Sequence, residues 1–233
     1  MKLLLLPGMD GTGELFFDLR NALSCRYVSI VIKFPLNKKL SYYELMKITQ
    51  EQFPMEEEFV IIAESFSVPI AVMCAAKKPT NLKALVLCSG FVANPIKGWR
   101  CHIGRILAPI FLRFPLPEIV IRIWLTGGNA NSILSSKVKM IISSVQKNVL
   151  VDRLKSILKC DVREEIRKIE IPILYIRAKN DRLINKACYE EIKTANSNVE
   201  LLELDGSHLI LQNESKISAK RIIEFTEKYL VMS

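Results

Sequence analysis

The chain has 233 residues, of which 50% are hydrophobic and 24% charged. This suits one domain with a substantial core, or one domain carrying an insertion, and it excludes a disordered chain. The formal net charge of +9 points to an anionic partner or a solvated basic face, and no internal repeat or low-complexity tract stands out.

Met1-Lys2 precedes only four leucines before Pro7-Gly8, too short an apolar run for a secretory signal. The six cysteines, Cys25, Cys74, Cys88, Cys101, Cys160 and Cys188, show no paired spacing for metal or redox work. They suit free thiols in a cytoplasmic protein. Residues 2–6 read as a strand entering Pro7-Gly8-Met9-Asp10-Gly11-Thr12-Gly13. This turn lacks the Gly-Lys-Ser/Thr ending of a phosphate loop, and its glycine spacing fits neither nucleotide fingerprint. It either starts an ordinary helix or leaves backbone N–H groups pointing into a cleft, Met9 among them. A helix over 14–24, a strand over 27–34 and a helix over 41–53 follow. Ser41 and Glu44 stand at capping-box spacing before the last of these.

A strand over 58–63 then runs into Ala63-Glu64-Ser65-Phe66-Ser67, and 66–78 reads as a buried helix. Strand, sharp turn and helix with a serine at the apex is the layout that lifts a hydroxyl above a sheet and aims it into a cleft. The usual form is Gly-x-Ser-x-Gly, because both flanking positions are crowded. Alanine and serine are small enough to stand in. A strand over 83–89 follows, and its run Ala84-Leu85-Val86-Leu87-Cys88 is continuously apolar, as a strand buried on both faces should be.

Alternation of strand and helix breaks between 92 and 161. That stretch reads as a helical cap inserted into a core formed by 1–91 and 162–233. Ile103, Ile106, Leu107, Ile110, Phe111 and Phe114 recur at helical spacing, and Ile119, Val120, Ile123, Trp124 and Leu125 add a second apolar face. Three arginines, a glutamate and three prolines argue against a membrane span over 103–125. Either these faces pack on one another or part of them lines a pocket for a lipophilic group. From Lys97 to Lys159 there are eleven basic and two acidic residues, so this stretch carries the whole net charge of +9. It is either a solvated lysine-rich face or a surface for an anionic partner: an acyl carrier protein, a coenzyme A thioester or an anionic membrane surface. Nucleic acid is disfavoured, because no aromatic-interleaved basic motif accompanies the charge.

A strand over 171–178 ends just before Asp181, and a helix over 185–196 follows. A strand over 199–204 ends before Asp205-Gly206-Ser207-His208, and a helix over 214–230 closes the chain. The fold class these elements predict is α/β: a doubly wound, mostly parallel sheet of about six strands with a helical cap insertion. Ser65, Asp181 and His208 each follow a strand, in the chain order of one known Ser–acid–His arrangement. The residue types fit a common chemistry. A serine hydroxyl is a poor nucleophile, so histidine takes its proton, and a carboxylate fixes the imidazole tautomer and stabilises the imidazolium. The other histidine, His102, is given no catalytic role. Glu64, expected to point away from the histidine, and Asp205 are weaker candidates for the acid.

Over nearly its whole length the chain resembles the α/β-hydrolase superfamily. More narrowly, Leu-Leu-Pro-Gly-Met-Asp-Gly-Thr-Gly at 5–13 and Glu-Ser-Phe-Ser-x-Pro-Ile-Ala at 64–71 are similar to small bacterial hydrolases related to the esterase-like part of phytyl ester synthases. The resemblance implies a serine esterase or thioesterase with an acyl-enzyme on Ser65, with Asp181 as acid and His208 as base. The amides of Met9 and Phe66 would bind the oxyanion. No metal or organic cofactor is expected, and the substrate would be a small-molecule ester or thioester of a lipophilic acyl group. An acyltransferase using the same intermediate and a slow-turnover ligand-binding receptor remain open. Two positions depart from the pattern: Pro7-Gly8 stands where many relatives have His-Gly, and Val68 where close relatives often have glycine.

Overall fold

The six stretches read as strands form one sheet: β1 (Lys2–Leu6), β2 (Val28–Val31), β3 (Phe59–Glu64), β4 (Leu82–Cys88), β5 (Ile173–Ala178) and β6 (Val199–Leu204). The computed structural model describes residues 1–96, 117–127 and 132–230. The sheet order is β2-β1-β3-β4-β5-β6, and every pairing is parallel. The inner strands β1, β3, β4 and β5 are covered on both faces and read as near-continuous apolar runs, whereas the edge strands β2 and β6 are partly exposed and β6 carries Glu200 and Glu203.

The helices are α1 (Phe17–Leu23), α2 (Tyr42–Gln50), α3 (Val68–Ala75), α4 (Glu118–Ile121), α5 (Ser132–Ser144), α6 (Lys147–Leu158), α7 (Arg163–Arg167), α8 (Lys186–Ala195), α9 (Ile210–Asn213) and α10 (Ser215–Leu230). The two-residue period of the strands divides the core. Leu4, Leu6, Ile61 and Ala63 pack with α2, α3, α7 and α8 on one face. Leu3, Leu5, Val60 and Ile62 pack with α1, α9 and α10 on the other. The doubly wound arrangement expected from the sequence is the one observed.

Element ends differ from expectation for local reasons. The strand expected over 27–34 stops at Val31: the Phe34 N–H turns away to Gly11 O, and Pro35 has no N–H to offer. The helix expected from residue 66 starts at Val68, because Ser65 has φ +49° and 65–67 form a tight 3₁₀ turn. Pro69 then falls in the first helical turn, where its missing N–H costs nothing. The capping box on α2 is present, with Glu44 N–H donating to Ser41 Oγ and Ser41 N–H donating to Glu44 Oε2.

The chain leaves the core after β4 and returns before β5 through one short bridge. Ala93 pairs with Asp161, the Asn94 N–H donates to Cys160 O, and the Val162 N–H donates to Val92 O. Between them, α4, α5 and α6 lie above the carboxyl ends of the strands. Ile121, Val138 and Ile141 pack there with Leu15 and Leu209 of the core. The second apolar face is only partly as expected. Ile121 and Leu125 turn inward, whereas Ile119, Val120 and Trp124 stay exposed. A π-helical turn over Arg122–Thr126 widens the helix there, which breaks the 3.6-residue spacing on which the expected face rests. The expectations for Ile103–Phe114, His102, Cys101 and the basic residues between Lys97 and Arg113 lie outside the described residues. Among the described residues, no helix is long and apolar enough to cross a membrane.

Candidate active site

Three loops at the carboxyl ends of β3, β5 and β6 bring Ser65, Asp181 and His208 together. Ser65 Oγ lies 3.0 Å from His208 Nε2, and His208 Nδ1 lies 2.8 Å from Asp181 Oδ2. The second carboxylate oxygen of Asp181 accepts from the backbone N–H groups of Leu183 and Ile184 at 2.8 and 2.9 Å. The Asp181 side chain is therefore locked at both oxygens. Asp205 is exposed and pairs with Lys179 instead.

Ser65 sits in the left-handed region, a conformation that costs a non-glycine residue about 1–3 kcal/mol unless its surroundings enforce it. They do so here through the two residues that replace glycine. Ala63 is fully buried in the core, and the Ser67 hydroxyl donates to Pro7 O, tying the serine turn to the β1 loop. Val68 is accommodated by a glycine elsewhere. A Cβ on Gly90 would stand 2.2 Å from Val68 Cγ2, so the missing side chain after β4 makes the room.

The His208 loop is clasped by residues from between β4 and β5. Ser207 Oγ donates to Leu125 O at 3.0 Å, and the Leu209 N–H donates to the same carbonyl. Gly127 at φ +85° lies against Ser207, where a side chain would collide with Cβ at 2.9 Å. Neither contact has a local sequence signal, since each spans about eighty residues of chain.

Burial disfavours a charged imidazole at His208. The hydrogen bond and charge of Asp181, with Glu64 behind them, outweigh it and raise the imidazole above its usual value. Burial likewise opposes ionisation of Asp181, yet its contacts with His208 and the two amides hold the carboxyl below the ordinary range. Glu64 is a residue whose importance the sequence hid. It is 1% exposed, and Gln212 Nε2 donates to its Oε2 at 3.2 Å. Burial pushes it up to about 7, with His208 pulling down and Asp10 pushing up. Asp10 is itself raised by burial, against two hydrogen bonds from Thr12.

A cavity of about 270 Å³ opens on Ser65 and His208. Leu125, Val138, Ile142, Leu150, Leu154 and Ile157 descend into it from the stretch between β4 and β5. Leu183, Ile184 and Leu209 close it from the Asp181 and His208 loops. Met9 lies on its wall. The Gly11 N–H bonds to Gly8 O, a turn that leaves the Met9 N–H without an acceptor among the described residues. Phe66 continues the serine turn, with its ring buried 4.9 Å from that of Tyr42.

Solved structures share this whole arrangement of sheet and helices. A lipase-esterase related protein from Clostridium acetobutylicum is 20% identical, with a TM-score of 0.77 over 96% of this chain and 93% of its own. A thermophilic esterase from Thermogutta terrifontis matches at 15% identity and TM-score 0.82 over 98% and 90%. The chain has the α/β-hydrolase fold. A bromoperoxidase from Bacillus anthracis has that fold too, at 13% identity and TM-score 0.82 over 97% and 91%, so the fold alone does not name a reaction. No family model matches the sequence and no curated protein matches it, which leaves the similarity to the phytyl ester synthase-like branch resting on its two motifs.

Proposed function

We propose that the protein is a serine hydrolase of carboxylic esters or thioesters of lipophilic acyl groups. The observation that carries this reading is the Ser65–His208–Asp181 relay, at 3.0 and 2.8 Å, opening on an almost wholly apolar cavity. A carboxylate only accepts hydrogen bonds, so His208 Nδ1 carries the proton facing Asp181 and Nε2 is left to accept from Ser65. Ser65 Oγ adds to the substrate carbonyl as its proton passes to Nε2. The Met9 and Phe66 amides stabilise the resulting oxyanion. Collapse of the adduct expels the alcohol or thiol, which takes the proton from His208. Water, deprotonated by the same nitrogen, then releases the acid and restores Ser65. Metal and organic cofactor are not used in any of these steps.

The apolar walls exclude water from around the developing charge and bind acyl chain. Each buried methylene is worth about 0.8 kcal/mol, or about fourfold in kcat/KM, until the cavity is full. Hydrolysis of p-nitrophenyl esters from acetate to palmitate tests the proposal. It predicts serine-dependent turnover that rises with chain length to an optimum and vanishes in Ser65→Ala. Turnover unaffected by that substitution would refute it. The basic balance of residues 97–159 adds a finer expectation: a carrier-bound or coenzyme A thioester should show a KM that rises with ionic strength.

A further inference from the structure

Arg153 is a buried basic residue that the mechanism above does not use. It projects from α6 and is 2% exposed. Its Nη1 donates to Met9 O at 2.8 Å and its Nη2 to Pro35 O at 2.9 Å. The guanidinium carbon stands 5.9 Å from the centroid of the Phe66 ring. Gly11, at φ +73°, makes the room: a Cβ there would lie 2.6 Å from Nη1. Burial lowers Arg153 to about 10, with the charge of Asp10 pulling the other way, so it remains a cation at neutral pH.

Resting on the serine-hydrolase reading, we propose that Arg153 is a positioning residue for the oxyanion site. The β1 loop is a tight turn in which Gly8 O is held by the Gly11 N–H. The Gly8–Met9 peptide thus turns its N–H away from the turn, and the next peptide is pinned at its oxygen by Arg153. Two adjacent peptide planes are fixed, and with them the direction of the Met9 N–H. The same guanidinium caps the ring of Phe66, the residue whose amide is the other donor. One face of α6 carries both tasks. Leu150, Leu154 and Ile157 line the acyl cavity, and Arg153 lies among them at helical spacing. The helix that feels the acyl chain is therefore the helix that holds the oxyanion donor.

The test compares wild type, Arg153→Met and Arg153→Lys. The readouts are steady-state hydrolysis of p-nitrophenyl butyrate, inhibition by an alkyl trifluoromethyl ketone, which forms a tetrahedral adduct on serine, and inhibition by an unreactive alkyl amide of the same length. Losing one oxyanion donor costs about 10²–10³-fold in kcat, and Arg153→Met is expected to lose on the order of 10²-fold. Ketone affinity should fall in parallel, while amide affinity stays within about twofold. Added guanidinium ion should restore part of the lost rate. Arg153→Lys keeps the charge but not the fork, so it should fall between the two. Melting by circular dichroism checks folding, and if Arg153→Met does not fold, the same split in Arg153→Lys decides. Folded variants whose kcat and ketone affinity stay at the wild-type level would overturn the proposal, as would equal losses of amide and ketone affinity. An inactive wild type with no labelling at Ser65 would instead overturn the serine-hydrolase reading on which the proposal rests.

Discussion

Glu64→Gln isolates the cost of a buried carboxyl beside Ser65. In the folded protein this group titrates at about 7, against 4.5 for an unperturbed glutamate. Between those two values the unfolded chain has released the proton and the folded chain has not. Stability therefore falls as pH rises through this window, and the loss is complete once pH exceeds the folded value. A shift of this size corresponds to about 3 kcal/mol. Glutamine is neutral throughout. It can still accept from Gln212 Nε2, and its amide can donate to Gln212 Oε1, which has no partner among the described residues. Urea unfolding of both proteins at pH 5, 6, 7 and 8 reads the difference. The variant should match wild type within about 1 kcal/mol at pH 5 and exceed it by about 3 kcal/mol at pH 8. A stability difference that is the same at both ends would refute the reasoning, because Glu64 would then share one protonation state across the range.

The same substitution bears on activity. Negative charge at Glu64 helps raise His208, so Glu64→Gln should move the acid limb of kcat/KM to lower pH. Asp181→Asn should lose on the order of 10⁴-fold in kcat, and its residual activity should show an acid limb shifted further down, because the largest force raising His208 is gone. Gly90→Ala should destabilise by about 1–3 kcal/mol in thermal or urea unfolding, and Val68→Ala in the same chain should recover only part of it, since it removes the 2.2 Å contact with Val68 Cγ2 but keeps the 2.6 Å contact with Cβ. Leu154→Trp fills the cavity from α6. It should shorten the preferred acyl chain while leaving acetate hydrolysis nearly unchanged, as read from the p-nitrophenyl ester series.

The strands and most helices were legible because their signals are local. The inner strands are short, mainly apolar runs, and the alternation with helices leaves a parallel sheet as the natural outcome. Ser65, Asp181 and His208 were legible because parallel strands collect their following loops at one edge. What the sequence hid depends on distant pairing. Arg153 reads as one of eleven basic residues in a charged stretch, and nothing nearby reveals that it is buried against Met9 and Pro35. Ser67 reads as a tolerated substitute for glycine, whereas its hydroxyl binds Pro7 O across sixty residues. Trp124 reads as part of an apolar face, yet the π turn leaves it exposed. Helical periodicity carries no warning of such a turn.

The proposed reaction passes through a covalent acyl intermediate on Ser65. Rapid acid quench of the protein with p-nitrophenyl butyrate, followed by peptide mass spectrometry, tests it most directly. A butyryl mass increment is expected on the peptide containing Ser65, formed with a burst of p-nitrophenol and absent in Ser65→Ala. Ester turnover with no adduct at Ser65, or an adduct and turnover that persist in Ser65→Ala, would contradict it.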